Sequence, residues 1–377
     1  MKVLVVGLAT FEEMTGGSAR YLSGMVENLR RRGHEVQVIT AGQTVATGST
    51  VRSGVLRQVG RLGKRLWNVH RRAIVTVLRD RPDLVNVHFA YDGLGAVTAA
   101  RLRRIPIVVM FQGPWAAEAL ATGLRGSWPL SIRARMFIER RVYRSATQCM
   151  VLSAAFGEIL VRDYGVRADR IRVIPPGLDL DPFRESRTPS EARTLLGVAD
   201  RPTVVTVRRL VNRMGIDLLI DAIARLPASS RPQLLVAGTG PERDALEGRA
   251  RDARLEADVR FLGRVDDALL PAFYAAGDLC AVPTRSLEGF GYVVIESYAA
   301  GRPVLATAIG GLVEVVGPFD PDRLVGADPA SLAEGLARAM ARPESLPTPE
   351  SCRQYAAEFG WDRIVPRVEA VFREALA

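Results

Sequence analysis

The 377-residue sequence predicts an α/β protein of two Rossmann-like, doubly wound domains facing a central cleft. Three observations predict it. The length is about twice that of one ordinary domain of roughly 150 residues. Short apolar, β-rich runs alternate with amphipathic helical stretches, which is the βαβ pattern of parallel sheets. That alternation falls into two series separated by a polar stretch around Arg184 to Arg201.

The first series opens with a strand at Val3 to Val6, followed by a helix at Ala19 to Arg32 and a strand at Val36 to Thr40. Strands follow at Leu84 to Val87, Ile107 to Phe111 and Cys149 to Leu152. The second series places strands at Val204 to Val207, Leu234 to Ala237, Val259 to Leu262, Leu279 to Val282 and Val304 to Thr307. Gly177 to Pro182 reads as the hinge, which sets domains at 1–183 and 184–357. The last helix, Ile364 to Leu376, has no strand after it. By analogy, residues from about 358 to 377 pack back on the first domain.

Apolar residues make up 48% and charged residues 24%, enough to fill two cores and contrary to a disordered chain. Cys149, Cys280 and Cys352 are far apart and suggest neither a disulfide framework nor a zinc site, so a reducing compartment fits best. Met1 to Val6 reads as a buried strand rather than a signal peptide. No run reaches the eighteen or so apolar residues that span a bilayer. The expectation is a cytoplasmic protein, with contact at the inner face of the membrane left open.

A formal net charge of +10 is distributed unevenly. Between Arg52 and Arg81 nine bases meet one acid, Asp80. Apolar Val55, Leu56, Val59, Leu62, Leu66 and Trp67 recur there at helical spacing, with Arg57, Arg61, Lys64 and Arg65 interleaved. Such a helix could lie on an anionic bilayer, or pack on its own domain with its charged face solvated or gripping an acidic acceptor. Gly54, Gly60 and Gly63 weaken it. Trp67, Tyr274 and Trp361 read as packing residues. Aromatic residues are only 6% and are not interleaved with the basic run, which argues against nucleic acid.

The segment that carries chemistry runs from Glu288 through Gly289, Phe290 and Gly291 to Glu296. It follows the strand Leu279 to Val282 and opens the helix Tyr292 to Ala300, the place where an open parallel sheet binds its ligand. Gly289 and Gly291 remove side chains that would hold a diphosphate away from backbone amides. Glu296 is positioned to accept from ribose hydroxyls, and Glu288 from hydroxyls of a sugar. The plainer reading is a glycine turn with two solvated acids.

Glu288 to Val304, EGFGYVVIESYAAGRPV, resembles the E-x7-E region of family 4 glycosyltransferases of the GT-B fold. The resemblance covers nearly the whole chain. Gly16-Gly17-Ser18-Ala19-Arg20-Tyr21 resembles the family's glycine loop, which approaches the phosphates from the other domain. Arg32 to Val36, Ile174 to Asp179, Leu235 to Pro241 and Phe261 to Val265 resemble further family segments, and Val265 lies next to the base by that likeness. The resemblance implies a metal-independent hexosyltransferase with no cofactor. Its donor is a nucleoside-diphosphate sugar, and transfer proceeds with retention. The acceptor hydroxyl is left open among a lipid-linked glycan, a polysaccharide and a secondary-metabolite aglycone.

Two departures from the pattern matter. Where the family carries a basic pair on the diphosphate, this chain reads Arg208-Arg209-Leu210-Val211-Asn212-Arg213-Met214-Gly215. Arg209 fits, Met214 stands in the lysine position, and Arg213 is the candidate substitute. Phe111-Gln112-Gly113-Pro114-Trp115 resembles the family's F-H-G-P-W variant with glutamine for histidine. Gln112 cannot act as a general base. That damages an inverting mechanism more than a front-face retaining one, in which the leaving diphosphate oxygen takes the acceptor proton.

Glu288, Arg209 and Gln112 are therefore the catalytic candidates. The donor-binding set adds Gly16, Gly17, Arg213, Val265, Gly289, Phe290, Gly291 and Glu296. His88 could line the acceptor cleft or serve as a structural hydrogen-bonding residue. Asp179-Leu180-Asp181 has the form of a metal D-x-D but sits at the hinge, and no metal is expected. The competing functions are a sugar-nucleotide epimerase of similar fold and a non-catalytic protein that binds anionic surfaces.

Overall fold

The computed structural model describes residues 1–7, 17–40, 55–121, 132–185 and 187–377, with backbone alone at 55–66, 120 and 121. The chain forms two compact units, residues 1–177 with 361–377, and residues 178–360.

In the first unit the chain runs β1 (Lys2–Val6), α1 (Gly17–Arg31), β2 (Glu35–Ile39), α2 (Val55–Asp80), β3 (Leu84–Val87) and α3 (Ala90–Arg103). It continues through β4 (Ile107–Phe111), α4 (Trp115–Ala121), α5 (Ile132–Ser145), β5 (Gln148–Val151), α6 (Ala154–Tyr164) and β6 (Ile171–Val173). All strand pairs are parallel, in the order β2-β1-β3-β4-β5-β6. β3, β4 and β5 are buried at every residue, as strands covered by helices on both faces must be. Leu22, Met25, Val26 and Leu29 of α1 recur at i, i+3, i+4 and i+7 and are all buried.

The second unit holds α7 (Pro189–Leu195), β7 (Thr203–Val207), α8 (Ile216–Arg225), β8 (Gln233–Ala237), α9 (Arg243–Asp252), β9 (Val259–Gly263) and α10 (Leu270–Ala275). There follow β10 (Leu279–Val282), α11 (Tyr292–Ala299), β11 (Val304–Thr307), α12 (Gly311–Val316), β12 (Leu324–Val325), α13 (Pro329–Ala341) and α14 (Pro349–Ala357). Its parallel sheet has the order β12-β11-β10-β7-β8-β9. α7 starts with a reciprocal capping box between Thr188 and Glu191, and Asp328 and Thr348 cap α13 and α14.

The chain leaves the first unit after Gly177 and re-enters it at Trp361, where the sequence placed the crossings near 183 and 357. The second unit closes on itself at this point, through a Leu178 N–H to Phe359 carbonyl bond of 2.7 Å. The returning helix is α15 (Trp361–Leu376), whose buried Ile364, Val365, Val368, Val371 and Phe372 belong to the first unit. Trp361 seats on two glycines: a Cβ at Gly24 or Gly177 would lie 2.3 or 2.4 Å from its indole. At the other side Glu369, buried, accepts from Arg32 Nε at 2.7 Å and contacts His34 Nε2 at 2.9 Å.

Two short strands are added, the helix over the basic stretch is present, and one packing expectation changes. β6 and β12, edge strands of three and two residues, were not anticipated, because runs so short carry no periodicity. The basic stretch forms a continuous helix, α2, despite Gly60 and Gly63. Trp67, expected to pack, is 69% exposed, whereas Tyr274 and Trp361 are buried. No helix among the described residues is long and apolar enough to cross a membrane.

Candidate functional site

In the second unit strand order reverses between β7 and β10, so the loops that leave their carboxyl ends diverge and open a crevice. Those two loops, 208–215 and 283–291, carry the charged residues of interest.

Arg208, the first residue after β7, points inward. Its Nη1 lies 3.0 Å from Glu288 Oε2, and its Nη2 donates to Thr284 Oγ1 at 3.0 Å. Thr284 in turn donates to Glu288 Oε2 at 3.0 Å. Arg208 and Thr284 are buried, and Glu288 is 9% exposed. A carboxylate in such surroundings persists only when paired and hydrogen-bonded, and both conditions hold. Thr307 Oγ1 donates to the Thr284 carbonyl at 2.6 Å, tying the assembly to β11.

The backbone around Glu288 is held by a second, unanticipated glycine pair. Gly311 N–H donates to the Glu288 carbonyl at 3.0 Å. Cβ atoms at Gly310 and Gly311 would each lie 2.4 Å from a carbonyl oxygen, of Glu288 and Gly289 respectively, and Gly310 has φ +54°. Gly291 (φ +94°) precedes α11, whose N-terminus has no side-chain cap and points its positive dipole end at the loop, with the Val294 amide donating to the Gly291 carbonyl at 2.8 Å. A Cβ on Gly291 would also strike Leu312 at 2.6 Å, so this glycine serves packing as well as backbone access. Gly289 and Phe290 are buried, and the Phe290 ring meets Phe359 edge-on at 5.5 Å.

The other expected donor-binding residues divide. Arg209 is exposed beside the crevice. Arg213, half-buried, directs Nη1 to the Leu287 carbonyl at 3.2 Å and so braces the loop that carries Glu288. Arg285 pairs with Asp217 on α8. Val265, half-buried, follows β9. Glu296 is 1% exposed and accepts from the Tyr274 hydroxyl at 2.7 Å, so its carboxylate is enclosed rather than open as expected.

In the first unit the order reverses between β1 and β3. Gly16 lies outside the described residues, and Gly17 is the first residue of α1. Gln112 follows β4 and is half-buried, with Nε2 3.3 Å from His88 Nδ1. His88 is 5% exposed, and burial pushes its pKa down to about 3. Its Nε2 lies 2.7 Å from Asn86 Oδ1, and the Tyr21 ring is 5.9 Å away. After Gln112 the loop enters α4, where buried Glu139 accepts from the amides of Trp115 at 2.8 Å and Ala116 at 3.3 Å. Burial raises the Glu139 carboxyl to about 7 even though four hydrogen bonds favour its charged form.

The remaining candidates are structural. Asp179 Oδ1 accepts from the Asp181 amide at 3.1 Å, and Asp181 pairs with Arg184, so this D-x-D shapes a turn. Among the described residues no cluster of three His, Cys, Asp or Glu side chains has metal-binding geometry, and all three cysteines are buried free thiols.

The sequence pattern favours Arg209, whereas Arg208, Thr284, Asn86 and the Gly310-Gly311 pair stand out in the structure. The adjacent glycines after a strand were a readable signal, whereas the inward direction of Arg208 depends on the pleat of β7.

A family model described as "Glycosyl transferases group 1" matches residues 191–359, and one described as "Glycosyltransferase Family 4" matches residues 15–182. The D-inositol 3-phosphate glycosyltransferase of Acidothermus cellulolyticus is 30% identical, with 96% of this chain and 86% of that protein covered. That of Geodermatophilus obscurus is 36% identical over 64% of this chain and 56% of its own length. A sucrose-phosphate synthase from Thermosynechococcus elongatus superposes with a TM-score of 0.80 at 24% identity, covering 99% of this chain and 98% of that one. The Anabaena protein HepE, in complex with UDP and glucose, gives 0.76 at 21% identity, covering 99% of this chain and all of its own. These superpositions identify the fold as GT-B.

Proposed function

The chain belongs to the group 1 and family 4 glycosyltransferases, and on that premise we propose that it moves a hexosyl group from a uridine diphosphate sugar to an acceptor hydroxyl, with retention at the anomeric carbon. The observation that carries this reading is the buried Arg208–Glu288–Thr284 assembly at the switch point of the second unit, beside the uncapped start of α11.

Each part has a chemical task. The amides at the start of α11 and the exposed Arg209 offer positive potential to a diphosphate. Glu288 keeps one oxygen on Arg208 and Thr284 and offers its remaining lone pairs to sugar hydroxyls. Charge that builds on the departing diphosphate meets fixed donors, which is the stabilisation an oxocarbenium-like transfer requires. The leaving oxygen then accepts the proton of the incoming hydroxyl, so no protein base is needed and glutamine is tolerated at position 112. Uridine is favoured by the UDP bound in the HepE structures. The relatives' names favour a phosphorylated cyclitol as the first acceptor to try.

The test is a thermal-shift panel of UDP, GDP, ADP and their sugars, followed by mass detection of glycosylated inositol 3-phosphate. A ligand that binds the folded state alone raises the melting temperature with occupancy. Stabilisation by UDP together with a new glycoside supports the proposal. An isomerised donor without transfer would make the protein an epimerase, and no response to any nucleotide would remove the donor site.

A further inference from the structure

We infer that Asn86 and His88 are positioning residues that orient the Gln112 amide so that its carbonyl oxygen faces the substrate, making this point of the first unit a receptor for a sugar or polyol hydroxyl and not for a phosphoryl group. The inference rests on the transferase reading above and deepens it.

The polarity of the chain of bonds is set at one end by the backbone. Asn86, on β3, is fully buried and places Nδ2 3.1 Å from the Val108 carbonyl of the neighbouring strand β4. A carbonyl oxygen only accepts, so the group facing it is the NH2, and Asn86 Oδ1 is left as the acceptor for its other neighbour. That neighbour is His88 Nε2, at 2.7 Å, which must therefore carry the proton. A neutral imidazole with Nε2 protonated has a bare Nδ1. Burial keeps this ring neutral, with its pKa held at about 3. The Tyr21 ring beside it brings no charge. A bare Nδ1 accepts, so the Gln112 atom 3.3 Å away is its NH2, and the amide cannot turn over without setting two lone pairs against each other. The Gln112 oxygen is then the end of the chain, half-exposed at the carboxyl end of β4 and without a hydrogen bond among the described residues. It can only accept. A hydroxyl satisfies it, and a phosphate oxygen at neutral pH repels it.

A histidine at position 112 could serve either as donor or as acceptor according to its tautomer. Here a single acceptor is enforced by residues that need not touch the substrate themselves.

The chain has three histidines, so the imidazole nitrogens of the full-length protein can be assigned by 15N correlation spectra with His34→Gln and His70→Gln variants. The expected signature of His88 is one neutral form, protonated at Nε2 and bare at Nδ1, from pH 5 to pH 8. Asn86→Ala should release the ring into a mixture of tautomers. It should also lower kcat/KM by about tenfold, as the loss of one oriented hydrogen bond would, without preventing folding as judged by circular dichroism. Gln112→Glu, which offers only acceptors, should draw a second proton onto His88 and make both nitrogens appear protonated. A Nδ1-protonated or doubly protonated His88 in the parent protein overturns the relay whatever the activity. A tautomer mixture in Asn86→Ala with kcat and KM unchanged overturns its positioning role. Absence of any glycosyl transfer by the parent protein would instead overturn the transferase reading, and the tautomer would still decide the relay.

Discussion

Arg208 Nη1 stands 3.0 Å from Glu288 Oε2, and both side chains are withdrawn from solvent. Two loops from different strands are thereby joined at the site by charge. Removing one partner leaves the other buried without its counter-charge, which costs about 3–5 kcal/mol. Arg208→Ala should therefore lower the denaturation midpoint strongly and abolish transfer. Arg209→Ala, at an exposed position, should change stability by less than about 0.5 kcal/mol while weakening donor binding. Urea melts and donor titrations of the two variants separate these outcomes. Equal destabilisation by both would contradict the assignment of the inward arginine.

The loop bearing Glu288 should be as sensitive to Gly310 as to its own residues. An added methyl there would meet the Glu288 carbonyl at 2.4 Å from a backbone already at φ +54°. Gly310→Ala is expected to cost about 1–3 kcal/mol and to weaken UDP binding by calorimetry. A variant with the parent's melting temperature and affinity would show that the loop relaxes freely.

Asp92 on α3 is fully buried, neither of its carboxyl oxygens is hydrogen-bonded among the described residues, and burial raises its pKa to about 8. The folded state holds its proton more tightly than the unfolded chain does. Between the usual aspartate range and pH 8, this group therefore makes stability fall as pH rises. Asp92→Asn should be more stable than the parent at pH 9, by a few degrees in melting temperature, and should lose that advantage near pH 4. A difference independent of pH would mean that the carboxyl is not the cause.

Glu369 gives the opposite sign. Hydrogen bonds from Arg32 and then His34, against some desolvation, hold its carboxyl below the ordinary glutamate range. Its stabilisation is complete above that range and disappears as pH falls through the lowered value. Glu369→Gln should therefore cost stability at pH 7 and little once the parent's own carboxyl is protonated. Melting curves across that interval test it.

Much of this was legible in the sequence. Strands β3, β4, β10 and β11 fall where the apolar runs predicted them, because strands covered on both faces must be continuously apolar. The Glu288 to Glu296 segment was equally readable, since a glycine loop running into a helix is a local pattern. What escaped was non-local. Arg208 meets Glu288 only because β7 and β10 are neighbours in the sheet, and Asn86 reaches Val108 only because β3 and β4 are. The exposure of Trp67 escaped for a related reason: helical spacing identifies a face without saying whether anything covers it. Glu296 was placed on the right helix, but its enclosure by Tyr274 arises from α10, a separate element.

The division of the chain at Gly177 and Trp361 separates the order of synthesis from the order of completion. Residues 178–360 are an insertion whose two ends are bonded to each other, so they can close as a unit before α15 docks on the first. Until Trp361–Leu376 emerges, the glycine seat at Gly24 and Gly177 has no indole to fill it. A chain truncated after residue 360 would thus carry a finished second unit and an open first one.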